Sequence, residues 1–304
     1  MAIATDRMHI AVLGPGAIGG LLAGLMARGG DDVVVLARET ASKAIADDGL
    51  TIKSQRFGNF RARVRARSRL SGPVDACLVA VKSTQLKGAI ERVPPDALDT
   101  AMLIPFLNGI DRVGFLRETF PVASVVAATI RVESARVGAG VIQQMSPFAS
   151  VEIAATDANR DRVTRLADRW TAAGFDVRVR GDETTMLWEK LSFLAPLALM
   201  TTHRRASAGA VRTRWRSETL AVIEEVARVA RAEGAAIDSD AVVRLLDSVP
   251  ETMQSSMQRD QAAGLPLEID AIGGVVVRRA ARAGIDVPVT RRLVDEIRGR
   301  QRSA

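Results

Sequence analysis

Of the 42 lysine and arginine residues in this 304-residue chain, only Lys43, Lys53, Lys82, Lys87 and Lys190 are lysines. Where arginine is the default cation, a lysine held in a motif can do what a guanidinium cannot, which is lose a proton. Lys190 lies in Trp188-Glu189-Lys190-Leu191 and is the only basic residue between Thr184 and Thr202. On so apolar a helix a buried charge needs a partner or a task. Lys82 follows the apolar run Asp75 to Val81, and Asn108 follows another, Met102 to Phe106. If both runs are strands of one parallel sheet, Lys82 and Asn108 stand at its carboxyl edge, where open α/β sheets bind ligands. Taken singly, Lys82 reads as a solvated lysine and Asn108 as a turn residue ahead of Gly109; on one edge they gain weight together.

Farther along, Ser255-Ser256-Met257-Gln258-Arg259-Asp260 sets Ser256 and Asp260 on one helical face, and Leu267-Glu268-Ile269-Asp270 opens another helical stretch. By periodicity alone, Ser256 is a helix cap and Glu268 a first-turn glutamate favoured by the helix dipole. Neither His9 nor His203 lies in a motif that supplies an acid. No His, Cys or carboxylate cluster has metal-ligand spacing, so no metal is expected.

The elements that must position these groups begin with His9 to Leu13, a short apolar run suited to a buried parallel strand, followed by Gly14-Pro15-Gly16-Ala17-Ile18-Gly19. The three glycines stand in G-x-G-x-x-G spacing: one for the turn, one for close approach of a pyrophosphate, one for helix packing on the strand. A helix from Ala17 to Arg28 would aim its free N–H groups at that phosphate. The motif therefore predicts dinucleotide binding by Gly14 to Gly19. After the next strand, Asp32 to Leu36, an NAD-preferring site would carry an acid for the ribose; this chain has Ala37 and Arg38. A guanidinium there suits a 2′-phosphate, so the expected cofactor is NADP(H).

With 47% hydrophobic and 25% charged residues, the chain is ordinary for a soluble protein with two cores. The longest apolar runs, around Met102 to Leu107 and Leu191 to Met200, are too short to cross a bilayer. Met1 to Arg7 has no signal-peptide core, so a cytoplasmic location and no membrane partner are expected. The single cysteine, Cys77, excludes an internal disulfide and reads as a core residue. A formal charge of +7 raises nucleic acid as a partner, but the arginines are spread along helices and there is no tyrosine, so solvated helix faces are the better account.

Strands are expected at Gly49 to Lys53, Phe60 to Ala66, Asp75 to Val81, Met102 to Phe106 and near Val122 to Thr129, with helices from Gln85 to Val93 and Ile110 to Thr119. Antiparallel strands between Val132 and Ala154, a helix over Arg160 to Ala173 and a strand at Val177 to Val179 close the set. Beyond Gly181-Asp182-Glu183, helical periodicity covers Thr184 to Thr202, Ser217 to Glu233, Asp240 to Ser248, Glu268 to Ala283 and Val289 to Arg300. The expected fold is α/β: an N-terminal Rossmann-type dinucleotide-binding domain over residues 1–182, then an all-helical domain over 183–304 for substrate and homodimer formation. A cleft between two such domains is the natural substrate site.

Gly14-x-Gly16-x-x-Gly19, Val81-Lys82-x-x-Gln85, Asn108-Gly109, Trp188-x-Lys190-Leu191, Ser256-Met257-x-x-Asp260, Glu268-Ile269-Asp270 and Gly284-x-x-x-Pro288 occur in an order and spacing that resembles the ketopantoate reductases across nearly the whole chain. The resemblance implies NADPH-dependent reduction of the ketone of a 2-oxo acid to a 2-hydroxy acid. It gives Lys190 the role of proton donor and Glu268 that of its assistant. It also implies that Asn108 and Ser256 help hold substrate, with Lys82 and Asn108 at the junction with the cofactor and Gln85 on the cofactor side. The chemistry fits, because hydride addition turns a ketone oxygen into an alkoxide and an ammonium answers that charge with a proton.

One departure bears on the substrate. The family places asparagines four and eight residues after the lysine, where this chain has Leu194 and Ala198. Positions 190, 194, 198 and 201 share a helical face, so that wall of the substrate site would be apolar, and each lost polar partner would cost about 1–3 kcal/mol. Thr201, Thr202 or His203 could substitute in part. Three readings follow: a ketopantoate reductase that tolerates these positions, a relative acting on a more hydrophobic 2-oxo acid, or a protein that senses NADP(H) without turnover. Lys190 and Glu268 argue against the last.

Overall fold

In the computed structural model, which describes residues 7–121 and 124–302, the β-branched runs of the first half become the centre of a parallel sheet. The elements in order are β1 (His9–Leu13), α1 (Ala17–Arg28), β2 (Asp32–Leu36), α2 (Glu39–Asp48), β3 (Leu50–Ser54), β4 (Phe60–Ala62), β5 (Arg65–Arg67) and β6 (Ala76–Val79). Then come α3 (Leu86–Ile90), β7 (Met102–Pro105), α4 (Asp111–Thr119), β8 (Ala128–Gly138), β9 (Val141–Ala154), α5 (Arg160–Ala172) and β10 (Asp176–Arg180). The first sheet has the order β5-β2-β1-β6-β7 with every pairing parallel. The order reverses between β1 and β6, which makes the carboxyl end of that pair the ligand-binding position of a doubly wound sheet.

A second sheet, β10-β9-β3-β4 with β8 on β9, explains why α1 is apolar all round. One face of α1 packs on β1 and β2 and the other on β3, β4, β8 and β9. Gly20 and Gly24 permit the second contact, since a Cβ on either would lie less than 3 Å from Ile142 or Ile52. The run Phe60 to Ala66, expected as one strand, is divided between the sheets: β4 pairs antiparallel with β3, while β5 pairs with β2. The strand expected near Val122 to Thr129 also differs. Val122 and Ala123 lie outside the described residues, Val125 makes a single parallel bridge to Leu103, and continuous pairing begins at Ala128 on β9. Cys77 is fully buried in β6, which pushes its thiol pKa up to about 12.

The chain divides into two units, Met1–Leu107 with Arg112–Glu183, and Asn108–Asp111 with Thr184–Ala304. The second contains α6 (Glu183–Arg204, from its second residue), α7 (Ala208–Arg214), α8 (Arg216–Ala232), α9 (Ser239–Ser248), α10 (Ser256–Ala262), a π-helical turn at Asp270–Gly274, α11 (Val275–Arg282) and α12 (Pro288–Arg302). The stretch expected as one helix from Glu268 to Ala283 is thus interrupted by a π turn, and α7 is an element that periodicity did not mark. Buried Glu225 of α8 accepts the Val289 and Thr290 amides at 3.0 and 2.7 Å, satisfying donors that the start of α12 would otherwise leave unpaired. The fold class is the expected one, a Rossmann-type α/β domain followed by helices.

Candidate active site

At the switch point of the parallel sheet, Gly14 leaves β1 with φ +87°, a conformation a side chain would strain, and its amide donates to the Leu36 carbonyl at 3.0 Å. A Cβ on Gly14 would lie 2.5 Å from Val81 Cγ1, and one on Gly19 would lie 2.2 Å from the Gly14 carbonyl oxygen. The first and third glycines are therefore spent on packing. Gly16 is different: a Cβ there would meet nothing within 4 Å, so the space beside it is open. The N-terminus of α1 has no side-chain cap and no acidic residue in its first turn, which leaves its positive end for an anion. These residues fit the pyrophosphate of a dinucleotide.

Contact with Gly14 also fixes Val81, and so Lys82, beside the glycine turn; Lys82 is half-buried and its carbonyl accepts the Gln85 amide at 2.9 Å, in a 3₁₀ turn that leaves Gln85 exposed. Arg38 is exposed two residues past β2. Its neighbour Ala37 donates its amide to the Arg67 carbonyl at 3.0 Å, so an exposed second guanidinium stands at the end of the adjacent strand. Sequence reasoning missed Arg67, because only the pairing of β5 with β2 brings it there.

In the helical unit, Lys190 and Leu194 are half-buried on α6 while Ala198 and Thr201 are fully buried. Of the residues expected to replace the missing amides, Thr201 donates its hydroxyl to the Leu197 carbonyl at 2.7 Å and His203 is paired through Nε2 with Glu296 at 2.5 Å. Both are engaged by the scaffold. The Thr202 hydroxyl is buried with no hydrogen-bond partner. The cap of α10 is Ser255, whose Oγ accepts the Gln258 amide at 3.1 Å; Ser256, expected as a cap, is the first helical residue and is exposed.

Asn108 and Glu268 come together. Asn108 Nδ2 donates to Glu268 Oε2 at 2.9 Å, and Glu268 is 8% exposed. Gly109 makes this possible: its φ is +83°, and a Cβ there would lie 2.4 Å from the Ala271 carbonyl oxygen, in the π turn that follows Glu268. Such turns relax helical geometry and recur at functional sites. An amide of fixed orientation and a buried carboxylate thus share one position in the unit that also carries Lys190 and Ser256.

Family models described as "Ketopantoate reductase PanE/ApbA" and "Ketopantoate reductase PanE/ApbA C terminal" match residues 10–158 and 182–301. The chain belongs to the ketopantoate reductase family. Among its relatives, the 2-dehydropantoate 2-reductase of Mycobacterium tuberculosis is 29% identical over 94% of this chain and 95% of that protein. The 2-dehydropantoate 2-reductase of Halobacterium salinarum is 28% identical over 97% of this chain and 99% of that protein. A crystal structure of a PanE/ApbA family ketopantoate reductase from Ralstonia eutropha superposes with a TM-score of 0.87 at 28% identity, covering 97% of this chain and 99% of that one. As a member of that family, the chain is an NADP-dependent oxidoreductase. Among the described residues, no helix is long and apolar enough to cross a membrane.

Proposed function

We propose that this protein reduces ketopantoate to pantoate, with Lys190 as proton donor and Glu268 as the carboxylate that orients it. The reading is carried by the hydrogen bond between Asn108 and buried Glu268, which assembles polar groups for a ligand where an apolar core would otherwise be cheaper. NADPH, when bound, supplies a hydride to the carbonyl carbon. Gly14, Pro15, Gly16, Ala17, Ile18 and Gly19 would hold its pyrophosphate, Arg38 with Arg67 its 2′-phosphate, and Lys82 and Gln85 the neighbouring part of the cofactor.

The remaining work belongs to the helical unit. Lys190 Nζ donates a proton to the oxygen of the former ketone as negative charge develops there. Asn108 gives one N–H to Glu268, which fixes its amide and turns its remaining polar atoms to the substrate. Ser256 contributes an exposed hydroxyl. A second reading, reduction of a more hydrophobic 2-oxo acid, is favoured by half-buried Leu194 on the Lys190 face of α6, whereas Ala198, expected beside it, has no exposed surface.

NADPH oxidation with ketopantoate, pyruvate, 4-methyl-2-oxopentanoate and phenylpyruvate tests both, alongside the Lys190→Ala variant. Turnover with at least one of the four, falling roughly 10²–10⁴-fold in Lys190→Ala while NADPH still binds, is expected. The identity of the best substrate chooses between the readings. A Lys190→Ala rate within a few-fold of wild type would make Lys190 a solvated lysine whose stem lies along the helix.

A further inference from the structure

The turn that carries Asn108 is fastened to the segment that carries Glu268 at three points, in step along both. Asn108 reaches Glu268, and Gly109 lies against Ala271. Third, the Asp111 carboxylate takes one hydrogen bond on each oxygen, Arg278 Nη2 to Oδ2 and Arg279 Nη2 to Oδ1, both at 2.8 Å. The arginines are held in turn. Arg279 Nη1 donates to Glu233 Oε2 at 2.9 Å and Arg278 Nη2 to the Asp270 carbonyl at 3.2 Å, while Arg298 pairs with the Asp270 carboxylate.

Asp111 and Arg278 have side chains 44% and 46% exposed, so their pairing is screened by solvent and adds little to global stability. It can still fix a geometry. A carboxylate that gives each oxygen to a different guanidinium has few other positions open to it, and only Gly109 and Ile110 separate it from Asn108.

We propose that Asp111 is a positioning residue for the reaction: by bridging Arg278 and Arg279 it holds Asn108 at its working distance from Glu268. The inference rests on the reading of Asn108 and Glu268 as site residues. Its prediction is a loss of catalytic efficiency with little loss of stability, routed entirely through Asn108.

The test compares Asp111→Asn, Asn108→Ala and the double variant by kcat/KM for ketopantoate and 4-methyl-2-oxopentanoate at saturating NADPH. Asp111→Asn keeps the shape but sets an amide N–H₂ against a guanidinium. It should lower kcat/KM about 10-fold to 100-fold, the scale expected when a positioning group moves by about an ångström, with Tm changed by only a few degrees. Asp111→Glu should restore much of the loss, and the double variant should be no worse than Asn108→Ala alone. A wild-type kcat/KM in Asp111→Asn, or losses that multiply in the double variant, would overturn the clamp and leave the site reading standing. A wild-type kcat/KM in Asn108→Ala would overturn both. Should Asp111→Asn fail to fold, Arg279→Lys, which keeps the charge and loses the planar fork, carries the same prediction.

Discussion

The hydroxyl oxygens of Thr201 and Ser255 lie 2.8 Å apart, both residues buried, and join the start of α10 to α6. The chain of bonds is consistent in direction: the Gln258 amide donates to Ser255, Ser255 to Thr201, and Thr201 to the Leu197 carbonyl. Two adjacent serines therefore have different work. Ser255→Ala should destabilise the fold by about 1–2 kcal/mol, a cap and a buried partner lost together. Ser256→Ala should leave Tm nearly unchanged and raise KM for the 2-oxo acid. Thermal melts and steady-state kinetics on the two variants separate the roles, and a Tm loss confined to Ser256→Ala would reverse them.

Because Thr201 and His203 are engaged elsewhere and Ala198 is fully buried, Leu194 is the partly exposed position on the Lys190 face of α6 at which an amide can be restored. Leu194 is half-buried and can accept an amide, so Leu194→Asn should raise kcat/KM for ketopantoate relative to 4-methyl-2-oxopentanoate. Ala198 has no exposed surface, and Asn there should cost about 1–3 kcal/mol by overpacking. An unchanged substrate ratio in Leu194→Asn would remove that position from substrate selection.

Arg67 ends β5 and Arg38 lies two residues past the end of the neighbouring β2, both exposed. Each single alanine substitution should weaken NADPH binding about tenfold while leaving NADH binding alone, since charged hydrogen bonds to phosphate are worth roughly 1.5–3 kcal/mol and solvent screens part of that here. Titration of both cofactors into wild type and variants is the measurement. Equal wild-type affinity for NADPH and NADH would dismiss the role of both.

Glu152 gives the Rossmann-type unit a pH dependence. Burial acts to raise its pKa, but hydrogen bonds and charge from Arg131 and Arg180, each 2.8 Å away, outweigh burial and hold the carboxyl below its usual range. A lowered folded-state pKa means stability that is present above the unfolded pKa and lost as pH falls through the folded one. Glu152→Gln should therefore cost about 1–3 kcal/mol at pH 7, with the difference from wild type closing in acid. Urea unfolding at pH 7 and below pH 4 checks it; a constant difference would assign the effect to packing.

What the sequence determined by itself is what local sterics and periodicity enforce. Gly14, Gly16 and Gly19 announce a turn, an open approach and a tight packing, and each glycine has that environment. The apolar runs at His9, Asp32, Ala76 and Met102 form the parallel sheet, and helical period marks most of the second half. Tertiary structure decided whatever joins distant positions. The all-apolar α1 needed a second sheet to cover it, and pairing partners divided Phe60 to Ala66 between sheets. Ser255, not its neighbour, is the cap of α10, and its hydroxyl is also the one that meets Thr201. Asn108 follows β7 closely in sequence, yet it belongs with the helical unit, where its side chain bonds a glutamate 160 residues away. No local rule specifies such a contact, because its stability comes from burial and hydrogen bonding that exist only once both segments are packed.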